Sequence, residues 1–270
     1  MGSYDALKKT AKSMLGFAAY RLGLHRSLLR NRAVVIAFHR VSDSDRGGAL
    51  NCPVSVFDDL CRFFRRHFSV MPLSELVWRL RQNEPLSRGL CITFDDGYRD
   101  NYAVAAPILR KYELPATFFV ATSFIESSTV PEWDARDGFD SEWMSWDDVR
   151  SLRQMGFDVG GHTMTHADLG TVAPDVAMRE ITGCRDVLAE KLDSAAPHFA
   201  YPFGGAANIT QETLQMVQNA GFGCCLSCYG GLVNAEDNVF SLQREPINRW
   251  VRYAYQYGFE LLLRAREASA

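Results

Sequence analysis

The chain has 270 residues, a length that one α/β barrel uses by itself. Its apolar share of 47% is enough to fill one sizeable core, and its net charge of −3 excludes a general attraction to nucleic acid or to an anionic membrane. Seven cysteines (Cys52, Cys61, Cys91, Cys184, Cys224, Cys225 and Cys228) are odd in number and lack the spacing of a disulfide framework. Several lie in apolar runs, and the C-x-x-C of Cys225 and Cys228 has no second pair to complete a zinc site. They are read as small buried hydrophobes in a reducing compartment.

Residues 1–32 form a basic segment ahead of a domain over 33–270. Lys8, Lys9, Lys12, Arg21, Arg26, Arg30 and Arg32 face a single acid, Asp5. Leu7, Ala11, Leu15, Ala18 and Leu22 recur at helical spacing. Two readings stand side by side: an amphipathic helix lying on an anionic membrane surface, or a helix packed on the domain with its charged face in water. No run reaches the roughly 18 apolar residues of a membrane span. Met14 to Tyr20 is too short for the core of a cleaved signal and is followed by Arg21.

Val34 to His39 reads as a first strand. Ser55 stands as an N-cap before the helical stripe Phe57, Leu60, Cys61 and Phe64. Leu90 to Phe94 is a buried strand ending in Asp95-Asp96-Gly97, and Asp100 caps a helix reaching about Tyr112. Ala116 to Ala121 is a strand. Residues 122–146, with Trp133, Trp143 and Trp146, form a long loop of the kind that carries function. A helix over Asp147–Met155, a strand over Phe157–Gly161 and an amphipathic helix over Asp175–Leu192 follow. His198–Phe203 and Phe222–Ser227 are strands flanking a helix over Thr210–Ala220. Val239–Ile247 is extended and Trp250–Arg266 helical. Strand and helix alternate, which implies a parallel sheet covered by helices. His39, Asp95/Asp96, His162 and Tyr201–Gly204 all fall where strands end, and a parallel barrel gathers such ends at one mouth.

His162 and His166 are four apart and reach one ion if the backbone makes one helical turn. Gly160 and Gly161 before them allow close backbone approach. One aspartate would complete a 2-His-1-carboxylate set with open positions for water and substrate. Asp95 and Asp96 supply that carboxylate, one binding metal and the other serving as a general base, or they form a plain Asp-Gly turn.

Thr93-Phe94-Asp95-Asp96-Gly97, His162-Thr163-Met164-Thr165-His166 and Phe199-Ala200-Tyr201-Pro202-Phe203-Gly204 resemble, in order and separation, three motifs of the polysaccharide deacetylase family (the NodB-homology enzymes, carbohydrate esterase family 4). The resemblance covers about residues 33–250. It implies a distorted, incomplete (β/α)7 barrel with mostly parallel strands. It implies Asp95 as general base, and Asp96, His162 and His166 as ligands of a divalent metal, usually Zn2+ and sometimes Co2+ or Ni2+. The N–H of Phe203 would help to stabilise the oxyanion as water attacks an acetamide, releasing acetate and leaving a free amine.

Two departures from the family pattern matter. Ala200 stands where the family usually has an arginine that keeps the base ionised, and Arg244 is the candidate replacement, against a plain surface arginine. The late leaving-group histidine is missing, since no histidine follows His198. Ala37-Phe38-His39-Arg40-Val41 resembles the early Tyr-His-x-Val element of circularly permuted members that act on poly-N-acetylglucosamine in biofilms. That resemblance implies His39 as the general acid; the plain alternative is a buried structural histidine. Tyr201, Trp143 and Trp146 are candidates for the sugar site, the tryptophans equally for the core.

The expected partner is an N-acetylated exopolysaccharide or its lipid-linked precursor, with no role for nucleic acid. The expected location is the cytoplasm, at the inner membrane face where peripheral association applies. An O-acetyl polysaccharide esterase, an amino-sugar lipid deformylase with the same metal site, and an inactive carbohydrate-binding protein of the same fold are the alternatives.

Overall fold

Ala33–Phe38 and Gly89–Phe94 are buried at all six of their positions. A strand that is apolar without alternation belongs in a sheet covered on both faces. The computed structural model, which describes residues 3–44, 46 and 48–267, has that arrangement. Helices α1 (Ser3–Arg21) and α2 (Leu24–Leu28) precede strands β1 (Ala33–Phe38), β2 (Arg40–Val41) and β3 (Asn51–Cys52), helix α3 (Val54–His67), β4 (Ser69–Val70) and α4 (Leu73–Gln82). Strand β5 (Gly89–Phe94) leads through a π-helical turn (Asn101–Ala105) into α5 (Ala106–Lys111). Then come β6 (Thr117–Val120), α6 (Glu132–Asp137), α7 (Trp146–Gln154), β7 (Asp158–Gly161) and α8 (Pro174–Leu192). The chain ends with β8 (His198–Ala200), α9 (Gln211–Asn219), β9 (Cys224–Leu226), β10 (Glu245–Pro246) and α10 (Ala254–Glu267).

The main sheet runs β10-β1-β5-β6-β7-β8-β9, with β4 paired to the start of β5, and its paired strands are parallel. It curls into a half-barrel. The extended segment 239–246 spans the open side, bridging β9 through Leu226–Leu242 and β1 through Ile36–Glu245. Arg244 and Glu245 therefore point to opposite faces, Arg244 into the barrel and Glu245 outward to Arg264 of α10.

Local expectations fail where a distant group supplies the partner. Ser55 is not an N-cap: α3 starts at Val54 behind Pro53, and the Val54 N–H donates to Asp43 Oδ1 at 3.0 Å. Asp100 does not cap, because it is itself helical and runs into the π-turn, a feature frequent beside functional sites. The loop 122–146 contains α6. Helix α4 follows the helical spacing of Leu73, Leu76, Val77 and Leu80, all of them buried.

Three histidines are held away from protons. Burial, helped by the cations Arg88 and Arg26, brings His25 down to about 4; burial with His25, Arg66 and Arg26 does the same for His67, and burial alone for His198. Between pH 6.5 and about 4 the unfolded chain takes up protons that the fold refuses. Their contribution to stability is thus full above 6.5 and is lost as pH falls toward 4. The melting temperature is expected to be level near neutrality and to fall through this window; a profile that stays level to the lower limit would refute the assignment.

Candidate metal centre and active site

The last residue of β5 is Phe94, so Asp95 and Asp96 stand at the C-terminal mouth of the sheet. The Asp95 N–H donates to the Phe38 carbonyl at the end of β1, 2.9 Å away. Asp96 then takes φ 75° and Gly97 φ 97°. A Cβ on Gly97 would lie 3.0 Å from Ile125 Cδ1, so both conformation and space favour glycine there. The Asp-Gly turn and the functional pair are thus the same object.

His162 leaves the end of β7. Gly160, two residues earlier, is required by packing, because a Cβ would lie 2.5 Å from the Phe119 ring. The segment 162–166 does not form the expected helical turn. Thr163 and His166 are left-handed, at φ 63° and 60°. Glu180 of α8 imposes this shape: its carboxylate accepts the N–H groups of Met164 and Thr165, at 2.8 and 2.9 Å, and the Thr165 hydroxyl at 2.8 Å. Backbone held in such regions is costly and gathers at functional sites, and Asp96, Thr163, His166 and Phe203 all show it here.

The two imidazoles converge on one oxygen. His162 Nε2 and His166 Nε2 each lie 3.3 Å from Asp96 Oδ1, an atom that is buried without a hydrogen-bond partner. His162 Nδ1 donates to the Ala200 carbonyl at 2.8 Å, so in the neutral ring, the form that binds a metal, Nε2 turns its lone pair to the carboxylate. Facing lone pairs repel unless a cation lies among them. Tetrahedral bonds of about 2.0–2.1 Å set neighbouring ligand atoms about 3.3–3.4 Å apart, the spacing seen from Asp96 to both histidines. The donor set Asp96, His162 and His166 fits a divalent metal.

Asp95 is the neighbour left over from this set. Arg244 grips it with two hydrogen bonds, Nη1 to Oδ1 at 2.8 Å and Nη2 to Oδ2 at 2.7 Å, while its Nε donates to the Ser227 carbonyl. Both side chains are buried. Burial by itself would raise the Asp95 pKa, but Arg244 and then His162 outweigh it and hold the carboxyl below its ordinary range. Burial likewise works against Asp96, and its histidine partners leave it well below that range. His39 lies within electrostatic reach of Asp96, Asp95, Arg244 and His162, and burial lowers its pKa against the pull of the two carboxylates. Its carbonyl accepts from Asn101 in the π-turn at 2.8 Å.

Of the predicted site residues, the structure thus gathers His39, Asp95, Asp96, His162, His166 and Arg244. Phe203 joins them at φ 59°, half exposed, its ring 4.8 Å from that of His166. Three others are corrected. Tyr201 packs edge-on against Phe199 in a separate apolar cluster and is 1% exposed, because its strand alternation turns it behind the sheet. Trp146 is in the main core as the first residue of α7. Trp143 stacks on Tyr98 and Phe124, its indole N–H donating to the Thr129 carbonyl.

The tryptophan that does meet the candidate metal site is Trp133, 4.7 Å from the His166 ring and on the same histidine as Phe203. Its indole N–H donates to the Tyr98 hydroxyl at 2.9 Å, and that hydroxyl donates to Asp134 Oδ2 at 2.8 Å. Asp134 is ion-paired to buried Arg40 and also accepts from Ser141. A cluster of three tryptophans in one loop was visible in sequence; which of them meets the site depends on this buried network.

A profile of the family described as polysaccharide deacetylase matches residues 82–224, more than half of the chain. This fold and site define a class, the polysaccharide deacetylases, and the chain belongs to that family. Among its relatives, YxkH of Bacillus subtilis is 21% identical, over 79% of this chain and 71% of that protein. The poly-beta-1,6-N-acetyl-D-glucosamine N-deacetylase of Staphylococcus aureus is 21% identical, over 79% of this chain and 78% of that one. The deacetylase PplD of Streptococcus pyogenes, solved in complex with acetate, shares the fold at a TM-score of 0.73 and 22% identity, covering 87% of this chain and 98% of that chain.

Proposed function

We propose that the chain is a metal-dependent N-deacetylase acting on N-acetylated sugars of an exopolysaccharide or of its lipid-linked precursor. The observation that carries this reading is the meeting of His39, Asp95 and Arg244 at one mouth, which supplies a proton donor and an ionised base where the commoner family pattern is incomplete. Likeness to a poly-N-acetylglucosamine deacetylase supports the same substrate class.

A divalent ion held by Asp96, His162 and His166 would supply Lewis acidity, favouring hydroxide over water and polarising the acetyl carbonyl. Asp95, kept ionised by Arg244, takes the proton of the attacking water. The Phe203 N–H donates to the oxyanion. His39, whose burial makes its protonated form a ready donor, gives a proton to the leaving nitrogen as the C–N bond breaks. Acetate and a free amine on the sugar result. Trp133, half-buried beside His166, offers an apolar face for the sugar ring.

The test is acetate release by zinc-loaded protein from β-1,6-linked N-acetylglucosamine oligomers, with free amine measured in parallel. Equal amounts of acetate and amine are expected. Activity confined to O-acetyl xylan would replace this reading with an esterase. Protein that binds no divalent metal, and whose glycan binding survives Asp95→Asn unchanged, would replace it with a binding module.

A further inference from the structure

Helix α1 presents an unexpected face to the domain. Leu7, Ala11, Met14, Leu15 and Ala18, with Leu22 just beyond the helix, form an apolar stripe at helical spacing, and all are exposed. Leu7, Met14 and Leu22 are 67%, 71% and 77% exposed. The face against the barrel holds Lys9, which is buried, Lys12, paired with Glu260 of α10 at 2.7 Å, and Gly16. A Cβ on Gly16 would lie 2.0 Å from the Tyr255 carbonyl oxygen, so the two segments are in direct contact. Lys9, Lys12 and Gly16, with Ala19 and Tyr20 set into the main core beside Phe63, anchor α1, and the Leu7–Leu22 stripe is left to solvent. The Leu7–Leu22 stripe is therefore not the face that packs on the domain.

A second feature lies at the end of the stripe. Arg21, Arg26, Arg66 and Arg88 line one pocket with His25 and His67, and among the described residues no acid pairs with any of the four arginines. Arg30 joins Arg26 and Arg88 in the adjoining pocket. Arg88 Nε is buried without a hydrogen-bond partner. Guanidiniums match phosphate oxygens in geometry as well as charge. The chain's negative net charge makes this a local concentration of cations.

We propose that the α1–α2 face docks on a bilayer surface rich in anionic phospholipid, with the Leu7–Leu22 stripe at the acyl boundary and the arginine pocket on lipid phosphates. The charges argue against a second copy of the chain as the occupant, since a two-fold contact brings the same acid-free arginine patch against itself. No helix among the described residues is long and apolar enough to cross a membrane, so the contact lies on the surface. Arg88 directly precedes β5 and Asp95 follows it, about 20 Å away along six residues of strand. At the other end of the stripe Lys9 lies over Trp250, 5.6 Å from its ring, in the segment that follows β10 on the mouth side. Docking therefore lays the barrel on its side, with the mouth at the edge of the lipid surface.

The test is flotation of the full chain with phosphatidylcholine vesicles, with and without phosphatidylglycerol. Binding only to the phosphatidylglycerol vesicles, weakened by salt, is expected. Arg21→Glu/Arg26→Glu should weaken it on the order of a hundredfold, and Leu7→Glu/Met14→Glu should abolish it. These side chains are in water, so melting temperature and acetate release from soluble oligomers should match wild type. Folded wild type that ignores phosphatidylglycerol vesicles overturns the proposal, as do variants that bind as well as wild type. So does a wild-type dimer in sedimentation that the leucine and methionine replacements split, since that assigns the stripe to a second copy.

Discussion

Arg244→Met is expected to lower the free energy of unfolding by about 3–5 kcal/mol and to remove acetate release. The guanidinium makes two hydrogen bonds to Asp95 and both groups are buried, so truncation leaves a carboxylate with neither water nor partner. Asp95→Asn in the same background removes the stranded charge, and should recover much of the lost stability while leaving the enzyme inactive. Urea unfolding of the two variants measures this. Arg244→Lys keeps the charge and loses the fork, so it should fold with intermediate stability. Any activity it retains carries a further signature. Arg244 holds the Asp95 carboxyl below its ordinary range, so weakening the pair lets that pKa rise, and the acid limb of the pH–rate profile moves to higher pH. A methionine variant as stable as wild type would contradict the buried pair.

The second large effect is expected at Asp96. Its φ of 75° is one that asparagine also tolerates, so Asp96→Asn removes the charge with little backbone cost. Metal affinity should fall by more than the roughly ten- to hundredfold typical of losing an outer partner of a metal ligand. Ligand binding to the native state raises the melting temperature, so a chelator should lower that of wild type and leave Asp96→Asn unmoved. Elemental analysis and a melting curve with and without chelator read this without any assay of turnover. Equal metal content in the two proteins would exclude Asp96 as a ligand.

The motifs were legible because their chemistry is local. Asp95 and Asp96 follow a strand by one and two residues, and His162 and His166 follow another closely. Parallel pairing then brings the C-terminal ends of β5 and β7 to one mouth. The backbone between the histidines departs from a helical turn because it is set by Glu180, on a helix that the spacing of His162 and His166 says nothing about. Tyr201 and Trp143 lie away from the site for a related reason. Composition marks them as fit for a sugar site, while strand alternation and the Tyr98 stack turn them into the packing.

By itself, then, the sequence determined the alternation of strands and helices, which histidines and aspartates make up the candidate metal set and its neighbouring acid, and the existence of an apolar stripe on α1. Only the tertiary structure decided what those groups meet. Arg244 reaches Asp95 across 149 positions because β10 lies beside β1 and β1 beside β5. The Ala200 carbonyl orients His162 because β8 lies beside β7. The stripe on α1 faces outward because Gly16 and Lys12 are the residues that fit α10. Periodicity states that a helix has two faces; which one is buried is settled by the shape and charge of the surface it meets.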